Sequence, residues 1–138
     1  MFISDDSTMD VKVYWRKAKN RYDAYTEKEL KGLNLKEEDK KKYTLLNLKG
    51  AELTWELYNQ LQEDAMEDSG GERRWSFKKY KESKLKKIFK EWDAKNAKGE
   101  LVPLNEKNLM HLAPPIAETI LRAYDEIAFL SEEEEKNL

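Results

Sequence analysis

Apolar residues recur at helical spacing in the middle of the chain. Leu53, Leu57 and Leu61 repeat every four residues, which places them on one face of a helix that we expect over residues 51–66. The sequence then reads Asp68-Ser69-Gly70-Gly71, and glycine readily adopts the positive φ with which helices end. This pattern predicts an amphipathic helix followed by a glycine turn.

Two further apolar stripes follow the glycine turn. Ser76 can cap a second helix. The stripe of this helix contains Phe77, Tyr80, Leu85, Ile88, Phe89 and Trp92. Asn105 can cap a short third helix, which Pro114 ends, and Pro115 is well placed in the first turn of a last helix. The stripe of the last helix contains Ile116, Ile120, Leu121, Tyr124, Ile127 and Ala128.

The first part of the chain has a less regular pattern. Val11, Val13 and Trp15 alternate with polar residues, which is typical of a short half-buried strand. A helix that places Trp15 with Ala18 and Tyr22 on one face is the alternative. We therefore expect a mainly all-α protein, a single small helical domain of about four or five helices with one short N-terminal strand.

Shifts in composition divide the chain into three parts. Residues 1–42 form a charged N-terminal segment that we expect to be partly ordered. Residues 43–130 form the helical domain, and residues 131–138 an acidic tail or a short helix. Apolar and charged residues each make up 39% of the chain, a balance that favours amphipathic helices with broad solvated faces.

Composition also excludes several kinds of chemistry. The chain of 138 residues contains no cysteine, which excludes disulfides, iron–sulfur clusters, thiolate zinc sites and a cysteine nucleophile. It contains no apolar run of the ~20 residues that a membrane helix needs. Its first six residues lack the basic start and apolar stretch of a secretion signal. We expect a cytoplasmic protein with no membrane partner.

Charge is segregated along the chain, although the net charge at pH 7 is −2. Residues 50–71 contain no basic residue and carry a net charge of −6, whereas residues 72–98 carry +7. Blocks of opposite sign favour antiparallel or head-to-tail neighbours, within one molecule or between copies. We expect a homo-oligomer.

The remaining polar groups do not form a catalytic or metal-binding set. His111 is the only histidine, and its neighbours Leu112 and Pro114 favour packing at a helix end over a catalytic role. The run Glu132-Glu133-Glu134-Glu135 lacks the alternating ligands and the glycine turn of a calcium loop. Gly70-Gly71 lacks the lysine that ends a phosphate loop. We expect no enzyme activity, no metal and no cofactor.

The basic segment 73–98 leaves two interpretations open. Lysines and arginines that alternate with aromatic residues are typical of single-stranded nucleic-acid binding. The residues that would carry it are Arg73, Arg74, Lys78, Lys79, Lys81, Lys86 and Lys87. Their aromatic neighbours, however, lie at helical spacing, and the chain as a whole is slightly acidic. A solvated or protein-binding lysine face is therefore favoured, and nucleic acid is an unfavoured partner.

Three segments of the last third of the chain follow one another in a distinctive order. They are Trp92-Asp93, then Gly99-Glu100-Leu101-Val102-Pro103-Leu104-Asn105-Glu106-Lys107-Asn108-Leu109, then Leu112-Ala113-Pro114-Pro115-Ile116-Ala117-Glu118, before the ending Ser131-Glu132-Glu133-Glu134-Glu135-Lys136-Asn137. In order and spacing they resemble the tail assembly chaperones of long-tailed bacteriophages. The resemblance covers about residues 43–138 in layout and 92–137 in motif. The chain departs from the family in its lysine-rich segment.

The resemblance implies a non-enzymatic chaperone. Members of that family coat the long, coiled-coil tape measure protein, keep it soluble and deliver it to the growing tail tube, and they self-associate. Such a protein needs amphipathic helices and exposed apolar stripes, and no cofactor. The aromatic residues that we expect to contact the client or another copy are Trp55, Tyr58, Trp75, Tyr80, Trp92 and Tyr124.

Overall fold

The computed structural model describes residues 1–129, so the predicted tail at residues 131–138 lies outside the described residues. In chain order the elements are β1 (Thr8–Ala18), β2 (Arg21–Thr26), α1 (Glu27–Gly32), α2 (Glu37–Lys40), β3 (Thr44–Ala51), α3 (Trp55–Asp64), β4 (Met66–Ser69), β5 (Glu72–Trp75), α4 (Phe77–Ile88), β6 (Phe89–Trp92), α5 (Glu106–Met110) and α6 (Pro114–Ala128). This is a mixed α/β fold, and the prediction of a mainly all-α, alpha-helical protein is wrong.

A four-stranded antiparallel sheet, in the order β2-β1-β3-β6, forms one layer of the molecule. The strand predicted around Val11 and Val13 is confirmed, and it is long and central. Val11 pairs with Leu48 and Val13 with Leu46, so their side chains share one face of the sheet. All four are buried. The first 42 residues thus supply two strands of the sheet.

Strand β3 brings the backbone of the sheet close to the helices. It runs from Thr44 to Ala51, where the sequence predicts the start of a helical domain. On its buried face, Gly50 lies beneath Ile88 and Tyr124. A Cβ at this position would be 3.1 Å from Ile88 Cγ2 and 3.3 Å from the ring of Tyr124. Glycine permits this close approach because it has no side chain.

Helix α3 is shorter than the predicted helix over residues 51–66. It begins after Thr54, whose side chain accepts a hydrogen bond from the Leu57 backbone N–H at 3.0 Å. Leu61 is buried, whereas Leu53 and Leu57 are half-buried against the core. The predicted apolar face therefore exists, and its buried part lies at the end of the helix.

Strands β4 and β5 form a separate two-stranded hairpin after α3. Gly70 and Gly71 connect them with φ angles of +59° and +85°. Positive φ at both central residues is the requirement of a tight two-residue hairpin turn. The predicted glycine turn is confirmed, but it joins two strands rather than ending a helix.

Helix α4 also ends earlier than its apolar stripe. Ser76 caps it as predicted, by accepting a hydrogen bond from the Lys79 backbone N–H. After Ile88 the chain becomes β6, which pairs with β3, and Trp92 faces Leu48 there. Phe89 and Trp92 therefore pack through a strand that the helical spacing did not predict.

Helix α6 covers the buried face of the sheet. Asn105 caps α5 as predicted, and Pro114 and Pro115 both lie in the first turn of α6. Tyr124 of α6 is 0% exposed, and its hydroxyl donates to the Ala51 carbonyl oxygen at 2.8 Å. The main core comprises Val11, Val13, Leu46, Leu48, Leu61, Leu85, Ile88, Phe89, Ile116, Ile120, Leu121, Ala123 and Tyr124.

Candidate functional site

Large aromatic side chains are exposed on α3, at the end of β5 and in the first turn of α4. Trp55 is 76% exposed, Phe77 62% and Trp75 45%, values that are high for such large apolar side chains. Tyr58 and Tyr80 lie beside them and are half-buried. We call these five residues the aromatic patch.

The patch consists of two groups of rings in contact. Trp55 stacks on Tyr58, with 5.6 Å between ring centroids and 15° between planes, because residues three apart on a helix share a face. Trp75 contacts Tyr80 at 5.1 Å and Phe77 at 5.7 Å. The hairpin supplies Trp75 at the end of β5, directly before the cap of α4. The hairpin and the helix together therefore hold three rings in one cluster.

One electrostatic interaction connects the two ring groups. Burial raises the pKa of the Tyr80 hydroxyl, and the charges of Asp125 and Tyr58 raise it further. Among the described residues, no ring contact joins Trp55 and Tyr58 to the rings of Trp75, Phe77 and Tyr80.

A buried lysine fixes the base of the patch. Lys84 is buried, forms an ion pair with Asp125, and places its Nζ 5.1 Å from the ring centroid of Tyr80 and 5.8 Å from that of Tyr124. A cation over an aromatic face is attracted by the ring quadrupole. Lys84 thus links the patch on α4 to the core helix α6, and the patch has a rigid support.

The structure places the six predicted contact residues in three locations. Trp55, Tyr58, Trp75 and Tyr80 lie in the patch. Tyr124 is a core residue, and Trp92 is half-buried with its Nε1 donating to the Val102 carbonyl oxygen at 2.7 Å. Neither of these two belongs to the patch.

Phe77 belongs to the patch, but sequence reasoning did not select it. Its spacing from Tyr80 matched the stripe of the second predicted helix, and it was therefore assigned to the buried face. One signal could have identified it. Phe77 directly follows the cap Ser76, in a first turn that has no preceding helical turn to pack against.

Most of the basic residues that could bind nucleic acid are engaged in ion pairs with the protein's own carboxylates. The pairs are Arg73–Glu63 (2.6 Å), Arg74–Glu72 (3.3 Å), Lys79–Glu67 (3.6 Å), Lys81–Glu118 (2.7 Å) and Lys87–Asp64 (2.5 Å). Within residues 1–129, Lys78 and Lys86 have no carboxylate within 4.0 Å. Five of the seven candidate residues are therefore paired with carboxylates of the protein itself.

One of these pairs is reinforced by a second donor. Burial raises the pKa of Asp64, but hydrogen bonds from Lys87 and Ser83 outweigh it and hold that pKa below its ordinary value. The Ser83 hydroxyl donates to Asp64 Oδ2 at 2.6 Å. This carboxylate joins the end of α3 to α4, so the pair has a structural role beneath the patch.

His111 is exposed, and its Nδ1 lies 2.7 Å from the Lys107 carbonyl oxygen one helical turn earlier. Over residues 1–129, no three His, Asp or Glu side chains are grouped as ligands for a metal ion. In the same range, no helix is both long enough and apolar enough to cross a membrane.

The motif residues that carry the family resemblance build the connection from β6 to α6. Asp93 accepts hydrogen bonds from the backbone N–H and the Nδ2 of Asn47, at 2.8 and 2.9 Å. Asn108 Nδ2 donates to the Pro103 carbonyl oxygen at 2.7 Å, and Leu109 is buried. These hydrogen bonds and this buried leucine hold the connection against β3 and the core.

No family model, curated protein or solved structure matches the chain.

Proposed function

We propose that this protein is a tail assembly chaperone of a long-tailed bacteriophage, which binds the tape measure protein through the aromatic patch in the host cytoplasm. The observation that carries the proposal is the exposure of Trp55 on α3 and of the Trp75–Phe77 ring pair on β5 and α4. The proposal includes no enzymatic step and no cofactor.

The physical support concerns what such a surface binds. Exposed groups of large apolar side chains mark protein-binding sites, because their burial by a partner removes apolar area from water. Tryptophan and tyrosine are enriched among the residues that dominate binding energy. An amphipathic helix binds by laying its apolar stripe on such a surface. A long coiled-coil client offers many stripes of this kind before it assembles.

The motif at residues 92–137 supports the choice of client. Its order and spacing resemble those of phage tail chaperones, and its described part forms the connection between β6 and α6. The motif therefore supports the family, whereas the patch supports the mode of binding.

Nucleic-acid binding through Arg73, Arg74 and the neighbouring lysines is the alternative function. Ion pairs within the protein weaken it, because a phosphate would have to displace an internal carboxylate at most of these positions. The alternative predicts an affinity for generic DNA that falls steeply with salt concentration.

Co-expression with the tape measure protein of the same genome tests the proposal. We expect the wild-type chain to keep the tape measure protein soluble, and the double variant Trp55→Ala/Phe77→Ala to leave it in aggregates. Both side chains are mostly exposed, so the variant should fold normally, which a thermal melt checks.

The matched control is Leu101→Ala, which removes another exposed apolar side chain outside the patch. It should protect the client as well as the wild type does. Equal protection by the patch variant would refute the role of the patch. A soluble tape measure protein without any chaperone, or steep salt-dependent DNA binding, would refute the chaperone function itself.

A further inference from the structure

An apolar groove opens at the end of the sheet, away from the aromatic patch. It has a volume of about 360 Å³ and is walled by side chains of both layers: Trp15, Tyr22, Leu46, Ala94, Leu112 and Ile116. Trp15 and Tyr22 are in contact, with 6.0 Å between their ring centroids. The groove is large enough to accept large apolar side chains of another molecule.

Two lysines lie at the edge of this groove. Lys95 belongs to the lining and is exposed, and Lys17, beside the lining, places its Nζ 5.5 Å from the ring centroid of Tyr22. Among the described residues, the carboxylate in the groove lining is that of Asp93, which accepts hydrogen bonds from both nitrogen donors of Asn47. An acidic segment that carries apolar side chains would complement both the walls and the rim.

Residues 1–6 of the same chain have this combination, and we call them the arm. Phe2 is 103% exposed, whereas Ile3 is 37% exposed and therefore partly covered by its own protein. Asp5 and Asp6 follow after Ser4 and supply two negative charges. The arm is thus apolar at its tip and acidic at its base, as the groove is apolar inside and basic at its rim.

The arm cannot reach the groove of its own molecule. Ser7 is fixed at the far end of the sheet, where its hydroxyl donates to Glu52 at 2.7 Å and its carbonyl accepts from the Glu52 N–H at 3.0 Å. From Ser7 to Trp15, strand β1 spans about 27 Å at ~3.4 Å per residue. Between Phe2 and Ser7 the chain extends at most about 18 Å. Any groove that the arm fills must belong to a second copy.

We propose that the arm of one copy docks in the groove of the next, with Phe2 and Ile3 inside and Asp5 and Asp6 facing Lys95 and Lys17. The arm and the groove lie at opposite ends of the sheet, so the contact between two copies is head-to-tail. Such contacts form a ring if the rotation between copies closes, and an open chain otherwise. The proposal uses neither the aromatic patch nor the client, and it stands independently of the proposed chaperone function.

Sedimentation velocity over a concentration series tests the proposal, with any purification tag placed at the C-terminus. The wild-type chain should sediment as larger species at higher concentration. The arm variant Phe2→Ser/Ile3→Ser should remain monomeric throughout the series. The rim variant Lys95→Glu should raise the dissociation constant about tenfold or more, because it reverses a charge that faces two aspartates. Phe129→Ser, at an exposed aromatic position directly after α6, should leave the distribution unchanged.

A synthetic peptide of residues 1–8 gives an independent measurement that no folding defect can affect. Added in excess to the wild-type chain, it should fill the grooves and reduce the oligomers to monomers. The same peptide with Phe2 and Ile3 replaced by serine should have no effect. A wild-type chain that is monomeric at every concentration, oligomers that persist in the arm variant, or oligomers that resist the peptide would each overturn the proposal.

Discussion

Tyr124 links three parts of the molecule through one side chain. Its hydroxyl donates to the backbone of β3, its ring meets that of Phe89 edge-on at 5.9 Å, and Lys84 lies over its face. Burial raises the pKa of Tyr124 to about 12, and the negative charges of Asp125 and Glu52 add to this effect. The core therefore favours the protonated phenol.

This raised pKa predicts a loss of stability in alkali. The folded state holds the Tyr124 proton up to about pH 12, whereas the unfolded state releases it at about pH 10. Between these values the free energy of unfolding should therefore fall as the pH rises, by roughly 1–3 kcal/mol. Denaturant melts at several pH values measure this. The variant Tyr124→Phe should be less stable at neutral pH, and its free energy of unfolding should fall less steeply in alkali. An unchanged decline would show that other groups cause the loss of stability.

A pair of leucines on α3 gives a second prediction at this scale. Leu61 is 2% exposed and Leu57 is half-buried, although both lie on the same predicted stripe. Leu61→Ala should lower the free energy of unfolding by about 2–5 kcal/mol. Leu57→Ala should lower the free energy of unfolding by less, because the space that the leucine leaves is open to water. Equal losses in matched denaturant melts would contradict the burial described for this helix.

Local sequence determined the element boundaries that depend on a single cap or turn residue. Ser76, Asn105 and Pro115 were assigned correctly because a cap acts within one helical turn of its own position. Strand β6 was missed because Phe89 and Trp92 continue the spacing of α4. Their strand conformation depends on pairing with β3, some 40 residues away along the chain.

The hairpin β4–β5 was missed for a different reason. Its strands contain mostly charged residues, such as Glu67, Arg73 and Arg74, which lack the apolar alternation that predicts a strand. The two glycines alone indicated a turn, and a turn can follow a helix or a strand. The candidate site was therefore predictable by residue type, from Trp55, Tyr58, Trp75 and Tyr80, but the proximity of these residues depends on the hairpin.

Substitution of two glycines by alanine should change the stability of the protein in opposite directions, because only one of them lies against the helices. Gly50→Ala should lower the free energy of unfolding by about 1–3 kcal/mol, because the buried side chains of Ile88 and Tyr124 cannot move away from the new Cβ. At Gly32, the last residue of α1, an added Cβ has no atom within 4 Å. Gly32→Ala should therefore raise the free energy of unfolding by about 0.4–1 kcal/mol, because alanine restricts the unfolded chain. Thermal and denaturant melts of the two variants make the comparison. A neutral Gly50→Ala would contradict this packing.

The whole molecule presents different surfaces on different sides. The aromatic patch lies on α3, β5 and α4, whereas the groove lies at the end of the sheet beside β1. The opposite charge blocks at residues 50–71 and 72–98 are partly satisfied within one molecule, as the Glu63–Arg73 and Asp64–Lys87 pairs illustrate. Charge segregation is therefore partly accounted for within one molecule, and the self-association that we propose uses the arm and the groove.

Calorimetric titration of a helical segment of the tape measure protein tests the central claim most directly. Binding to the wild-type chain should show a negative heat-capacity change, because it buries apolar surface. Trp55→Ala/Phe77→Ala should weaken binding by about thirtyfold or more, which corresponds to about 2 kcal/mol. Leu101→Ala should bind as the wild type does. Undiminished affinity in the patch variant, or no binding by the wild-type chain, would contradict the account.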